Sequence, residues 1–136
     1  MSRLSAVRAA EPWMRSVLRI VVGFTFSLHG LEKLFRMFGG LGGHGARIHL
    51  FSMIGLAGFL EAFGGILLIL GLFAVPVAFI LAGEMAVAYF KVHFPRGFSP
   101  IQNGGELAVV YCFIFLYLFT AGPGPASADH LIRKKS

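Results

Sequence analysis

Ser27-Leu28-His29-Gly30-Leu31-Glu32-Lys33-Leu34-Phe35 is the stretch on which the reading of this chain turns. It lies in an apolar run from about Val17 to Phe38, and a helix of about 20 such residues crosses the hydrocarbon core of a bilayer. Its second half nevertheless carries a histidine, a glutamate and a lysine. At 100° per residue, His29, Glu32, Lys33 and Arg36 fall in one stripe roughly 100° wide, while Val21, Phe24 and Leu28 fall elsewhere. An ionisable side chain near the centre of a membrane helix costs about 3 kcal/mol on insertion scales. Such a stripe needs partners, and the rest of the sequence can be searched for them.

Composition sets the class. The 136 residues are 57% hydrophobic and 13% charged, with a mean hydropathy of +0.79. That is too apolar for a water-soluble domain of this size, and the length suits a single domain. The net charge of +6 comes largely from Arg3, Arg8, Arg15 and Arg19, ahead of or at the start of the first apolar run, and from Arg133, Lys134 and Lys135 at the end. Basic residues in such places record topology and contact with anionic headgroups. With no aromatic-basic platform in a polar domain, nucleic acid is not an expected partner. A lone cysteine, Cys112, excludes an internal disulfide and a Cys-x-x-Cys redox pair.

Four spans are expected, at about 17–38, 52–72, 75–93 and 105–120, making an all-α four-transmembrane-helix bundle over residues 16–122. A basic lead, 1–15, with Trp13 at headgroup level, precedes it. A polar tail, 123–136, follows the helix stop Gly122-Pro123-Gly124-Pro125. The lead and first span read as retained, not as a cleaved signal peptide. Gly39 to Gly45 forms a glycine-rich connection, and Pro95, Gly97, Pro100, Asn103 and Gly104 mark another loop. An even number of spans puts both ends on one side, and the excess of Lys and Arg there predicts cytoplasmic termini in a bacterial inner membrane.

The chain has six acids, and Glu32, Glu61, Glu84 and Glu106 fall one to each span. Glu61 shares a helical face with Ala57, Gly58, Gly64 and Gly65, which lets another backbone approach. Glu84 shares a face with Ala88 and Lys91, and Glu106 with Val110, Phe113 and Tyr117. These positions predict one polar core displaced toward one membrane face, with Glu32, Lys33, Lys91, His93 and Glu106 near its edge and His29, Glu61 and Glu84 deeper. Two readings of that core stand side by side. Buried Glu–Lys and Glu–His pairs hold helices in register; alternatively the core surrounds a ligand or a proton path. No metal is expected, because His29, His44, His49 and His93 match no ligand spacing. Cys112 is most simply a small apolar residue, and Phe113 is a candidate to line an apolar pocket for a quinone ring.

The segments His29 to Phe35, Glu61 with Gly64 to Leu72, Met85-Ala86-Val87-Ala88, Asn103-Gly104-Gly105-Glu106-Leu107-Ala108, and Gly122-Pro123-Gly124 with Ser127 and Asp129 resemble the DoxX family of small bacterial and archaeal membrane proteins. The likeness runs in order over residues 16–129. It implies a four-helix protein of the cytoplasmic membrane, linked in some members to thiosulfate:quinone oxidoreductase or to a complex with superoxide dismutase and a sulfurtransferase. It carries no catalytic residues, so catalysis by this chain stays open. The function expected is an accessory or quinone-interacting subunit of a membrane redox or oxidative-stress system. Its quinone would be held by His29, Glu32, Lys33, Glu61, Glu84, Lys91 and Glu106. The alternatives are a membrane scaffold docking a soluble redox or sulfur-transfer protein, and a transporter or channel component; a homo-oligomer fits any of these.

Overall fold

The computed structural model describes residues 2–39 and 49–135, so His44 lies outside the described residues. Among those described, every regular element is helical. They are α1 (Arg3–Ala9), α2 (Glu11–Phe35), α3 (Met53–Leu70), α4 (Ala74–Ala88), α5 (Pro100–Asn103), α6 (Glu106–Ala121) and α7 (Ala128–Lys135). Two helical stretches are long and apolar enough to cross a membrane, Met53–Leu70 and the continuation of α4 as far as Arg96; α6 is shorter.

Local chemistry sets most of these limits. Ser52 caps α3, its hydroxyl accepting from Gly55 N at 3.2 Å, which satisfies one of the donors a helix start leaves open. Gly71, at φ +67°, ends α3 in the left-handed region while Leu72 N reaches back to Leu67 O at 3.0 Å, the glycine stop expected of a helix end. The first long helix departs from the sequence reading. It starts at Glu11, with Pro12 in the first turn where a missing N–H costs nothing. The lead is also helical, at α1. Beyond Ala88, α4 widens into one π turn, Tyr89–His93.

The long helices pack antiparallel in two pairs. In α2 and α3 the small residues do the work: Gly23, Ser27 and Gly30 on one helix face Gly58, Ala62 and Gly65 on the other, the same 4-then-3 spacing on both. All six are buried. A Cβ placed on Gly65 would lie 2.7 Å from Gly23 O, and one on Gly30 would run into the backbone of Gly58 and Ala62. Close backbone approach of this kind is how helices associate where no hydrophobic drive separates them from lipid. Gly30→Ala is therefore expected to lower stability by about 2 kcal/mol through overpacking. Gly83→Ala, where nothing lies within 4 Å, should be neutral or gain up to about 1 kcal/mol of helix propensity. Thermal unfolding in detergent checks both.

In the second pair, the Cys112 thiol of α6 donates to Ala82 O of α4 at 3.4 Å, and Phe79 meets Phe119 with ring centroids 5.1 Å apart. A core of Val22, Phe26, Leu68, Leu81, Phe115 and Leu118 joins the pairs. Phe26 stands edge-on to both Tyr111 and Phe115 at about 5 Å, a favoured aromatic arrangement.

At the end where α2 begins and α6 stops, the chain ties a knot around Arg19. The sequence reading places this arginine among the topology-setting flanking charges; it is instead completely buried. Its Nε donates to Pro123 O at 2.8 Å, Nη1 to the carbonyls of Leu68 and Ile69, and Nη2 to Ala126 O. The guanidinium thus satisfies the carbonyl end of α3, the negative pole of its dipole, and pins the Gly122–Pro125 stop. Asp129, in the first turn of α7, accepts from Phe73 N at 2.9 Å and Ala74 N at 2.8 Å, capping the start of α4 from a distance. The Gly-Pro-Gly, Ser127 and Asp129 positions are therefore structural fastenings.

Candidate functional site

Glu61 is 3% exposed in the middle of α3, on the face made narrow by Gly58, Ala62 and Gly65. The last turns of α2 bring Lys33 alongside, and its Nζ donates to Glu61 Oε1. The pair is lopsided in depth: the lysine side chain keeps 21% of its exposure, the glutamate 4%. Lysine lies its apolar stem along the helix seam, its Cβ beside Gly58, and brings only its head to the acid. The other carboxylate oxygen, Glu61 Oε2, is buried and meets no hydrogen-bond donor among the described residues.

Glu84 of α4 completes the site from the opposite pair of helices. Both its oxygens are buried and neither meets a donor among the described residues. The charges that act on it are those of Glu61 and Lys33. Those acting on Glu61 are Lys33, His29 and Glu32. The His29 ring stands edge-on to Tyr111 of α6, centroids 6.2 Å apart, and Tyr111 O–H donates to Thr25 Oγ1 at 3.0 Å. All the long helices therefore meet around one polar cluster: His29, Glu32 and Lys33 from α2, Glu61 from α3, Glu84 from α4, and Tyr111 from α6 as an aromatic wall.

Chemically the cluster joins one ion pair to a second carboxyl group with unmet hydrogen-bonding capacity. Burying an unpaired polar atom costs about 1–3 kcal/mol. Such a group is an economical place to hold a proton or a hydrogen-bonding ligand. Lys33 and His29, both half-exposed, supply N–H donors on the accessible side; Glu61 and Glu84 supply acceptor oxygens on the deep side.

Three residues expected in this core, Lys91, Glu106 and His93, stand outside it. Lys91 is exposed and its Nζ lies 3.8 Å from Met53 Sδ. A regular helix carries it two turns above Glu84, but the π turn beginning at Tyr89 breaks the 100° progression and turns it away. Glu106 is the first residue of α6 and is exposed, placed where a helix dipole favours an acid. Its face-mates Val110, Phe113 and Tyr117 are the outward face of α6; the inward one is Ala108, Tyr111, Phe115 and Leu118. Phe113 is 67% exposed on that outward face. His93 also departs, with Nδ1 against Asn103 O at 3.2 Å. The loop it touches is organised by buried Asn103, which bonds Gly97 O, Tyr89 Oη and Gly105 N. Among the described residues no three His, Cys, Asp or Glu side chains form a metal-binding group.

Sequence reasoning missed Arg19, Asn103 and Tyr111. For Arg19 a signal was present: Ser16, Arg19, Gly23, Phe26, Ser27 and Gly30 repeat at 3 and 4 residues, one buried stripe that runs straight through the arginine.

Large apolar side chains clothe the outside, among them Phe24, Phe59, Phe63, Ile66, Phe79 and Val110, a coat far beyond the isolated patches of soluble proteins. An apolar coat, long apolar helices and a buried charge cluster together define a small helical protein of the membrane-associated class. The DoxX family model matches residues 14–94, and the chain belongs to the DoxX family. It is 45% identical over 132 residues to a Haemophilus influenzae protein described as uncharacterized, covering 92% of this chain and 95% of that one. A second uncharacterized protein of the same organism is 35% identical over 68 residues, half of this chain and 45% of that protein. No solved structure matches.

Proposed function

We propose that α2, α3, the α4 helix with its continuation and α6 all cross a bacterial cytoplasmic membrane, with both termini cytoplasmic, and that the polar cluster binds the headgroup of a quinone. The chain would then serve as an accessory, quinone-interacting subunit of a membrane redox or oxidative-stress system. The observation that carries this reading is Glu84: a carboxyl group whose oxygens are both buried without a donor among the described residues, within reach of the charges of Glu61 and Lys33, inside an apolar coat.

The residues fit such a headgroup. Lys33 and His29 can donate to ring oxygens, Glu84 can exchange a proton with a ring hydroxyl, and Tyr111 stands beside His29 as the nearest aromatic ring. A bound quinone supplies the capacity to take up electrons; the chain supplies orientation, a dry surrounding and a proton-exchanging group. Glu61 acts one step back, holding the Lys33 ammonium in place.

The test is binding of a short-chain ubiquinone analogue to the protein in nanodiscs, normalised to folded protein, for wild type, Glu84→Gln and Lys91→Gln. The amide keeps volume but not proton exchange, so Glu84→Gln should weaken binding about tenfold or abolish its pH dependence, the scale of losing a charged hydrogen bond. Lys91→Gln, outside the cluster, should bind as wild type. Wild-type binding and pH dependence in Glu84→Gln would end the reading.

A further inference from the structure

The end of the molecule that holds the termini carries a second polar feature, separate from the cluster. Between α2, the end of α6 and α7 runs a cleft lined by Arg15, His130 and Arg133, by the Gly122–Pro125 loop, and by Val75 and Phe119. Arg15, His130 and Arg133 give this lining basic side chains, and Val75 and Phe119 give it apolar ones.

Arg15 is set for an anion. Its Nη1 donates to Ala121 O and its Nη2 to Glu11 Oε2 at 3.1 Å, which fixes the guanidinium plane. Its Nε–H is buried and has no acceptor among the described residues. Glu11 is the acid beside it, and Glu11 Oε1 also accepts from Tyr117 O–H at 3.0 Å; both carboxylate oxygens are thereby engaged and neither lines the cleft. Arg19, one turn on from Arg15 in α2, is spent on carbonyls. A ligand that meets these walls has a phosphate at one end and acyl chains at the other.

We infer that this cleft is a binding site for an anionic phospholipid, its phosphate against Arg15, His130 and Arg133 and its chains along Val75 and Phe119. The site is independent of the quinone reading. An arginine near a headgroup is worth about fivefold in affinity for an anionic lipid, and a fixed guanidinium recognises phosphate geometry better than a mobile point charge does.

The experiment measures lipid retention by native mass spectrometry of the full chain in detergent, titrated with phosphatidylglycerol or phosphatidylcholine. Phosphatidylglycerol should bind more tightly. Arg133→Gln should weaken it about fivefold, and Arg15→Lys should weaken it while keeping the charge. Lys135→Gln, outside the cleft lining, removes the same charge and should leave binding near wild type. Because Arg133 is exposed, its variant folds even where an Arg15 variant does not. Equal binding of both lipids, or equal loss in Arg133→Gln and Lys135→Gln, would overturn the inference in favour of diffuse surface charge. Displacement of phosphatidylglycerol by millimolar inorganic phosphate alone would equally overturn it, marking a site for soluble anions.

Discussion

Arg19→Ala should be the most damaging single substitution in this chain, costing about 4 kcal/mol or more of stability. The arginine is wholly buried and donates to carbonyls of Leu68, Ile69, Pro123 and Ala126. Each carbonyl left without a donor costs about 1–3 kcal/mol, and the knot joins three separate parts of the chain: α2, the end of α3 and the loop after α6. Arg19→Lys should rescue little, because an ammonium cannot span carbonyls on opposite sides of a planar fork. The measurement is unfolding of detergent-solubilised protein by heat or denaturant, read by helical circular dichroism and by proteolysis at the 122–127 loop. A stable Arg19→Ala protein with an undigested loop would show that the GPGP stop holds without its guanidinium.

Glu61→Ala should rank next, at about 3–5 kcal/mol, the usual cost of removing one partner from a buried ion pair. Most of that loss comes from the Lys33 ammonium, which keeps its place along the α2–α3 seam and loses its counter-charge. Removing both partners tells the two contributions apart. Lys33→Met with Glu61→Leu should be far milder than either single change, since an apolar replacement of a buried pair is often neutral or stabilising. The coupling between the two sites should then be of the order of 2 kcal/mol, read from a double-mutant cycle. Glu32→Ala should be well tolerated, because Glu32 acts on Glu61 only at a distance. Additive effects of the Lys33 and Glu61 changes would mean that the pair stabilises nothing.

Much was legible from residue order alone. Apolar runs of the right length and the stop at Gly122–Pro125 placed three of the long helices within a few residues, because helix ends are decided by local caps and backbone freedom. The helical period put Gly58, Glu61 and Gly65 on one face, and the cost of a lone buried acid demanded a cation for Glu61. It could not say which. Lys33 became the partner because α2 and α3 run antiparallel in close contact along Gly23, Gly30, Gly58 and Gly65.

Where prediction failed, phase or long-range contact was responsible. Lys91 left the core through a π turn, and a periodicity argument assumes a constant turn angle. Glu106 and Phe113 were placed together on one face of α6 and expected to turn inward, but the packing of Tyr111 and Phe115 on Phe26 decides that this face points outward. Arg19 reads as one more flanking charge until the carbonyls of residues some fifty and a hundred positions away are seen to close on it. Sequence by itself determined a helical, apolar chain with Glu32, Glu61, Glu84 and Glu106 on four different long helices, since those follow from composition, spacing and the cost of burying charge. Which charges meet, and which arginine is structural, was decided only in the tertiary structure, where donors and acceptors distant in the chain come within reach of one another.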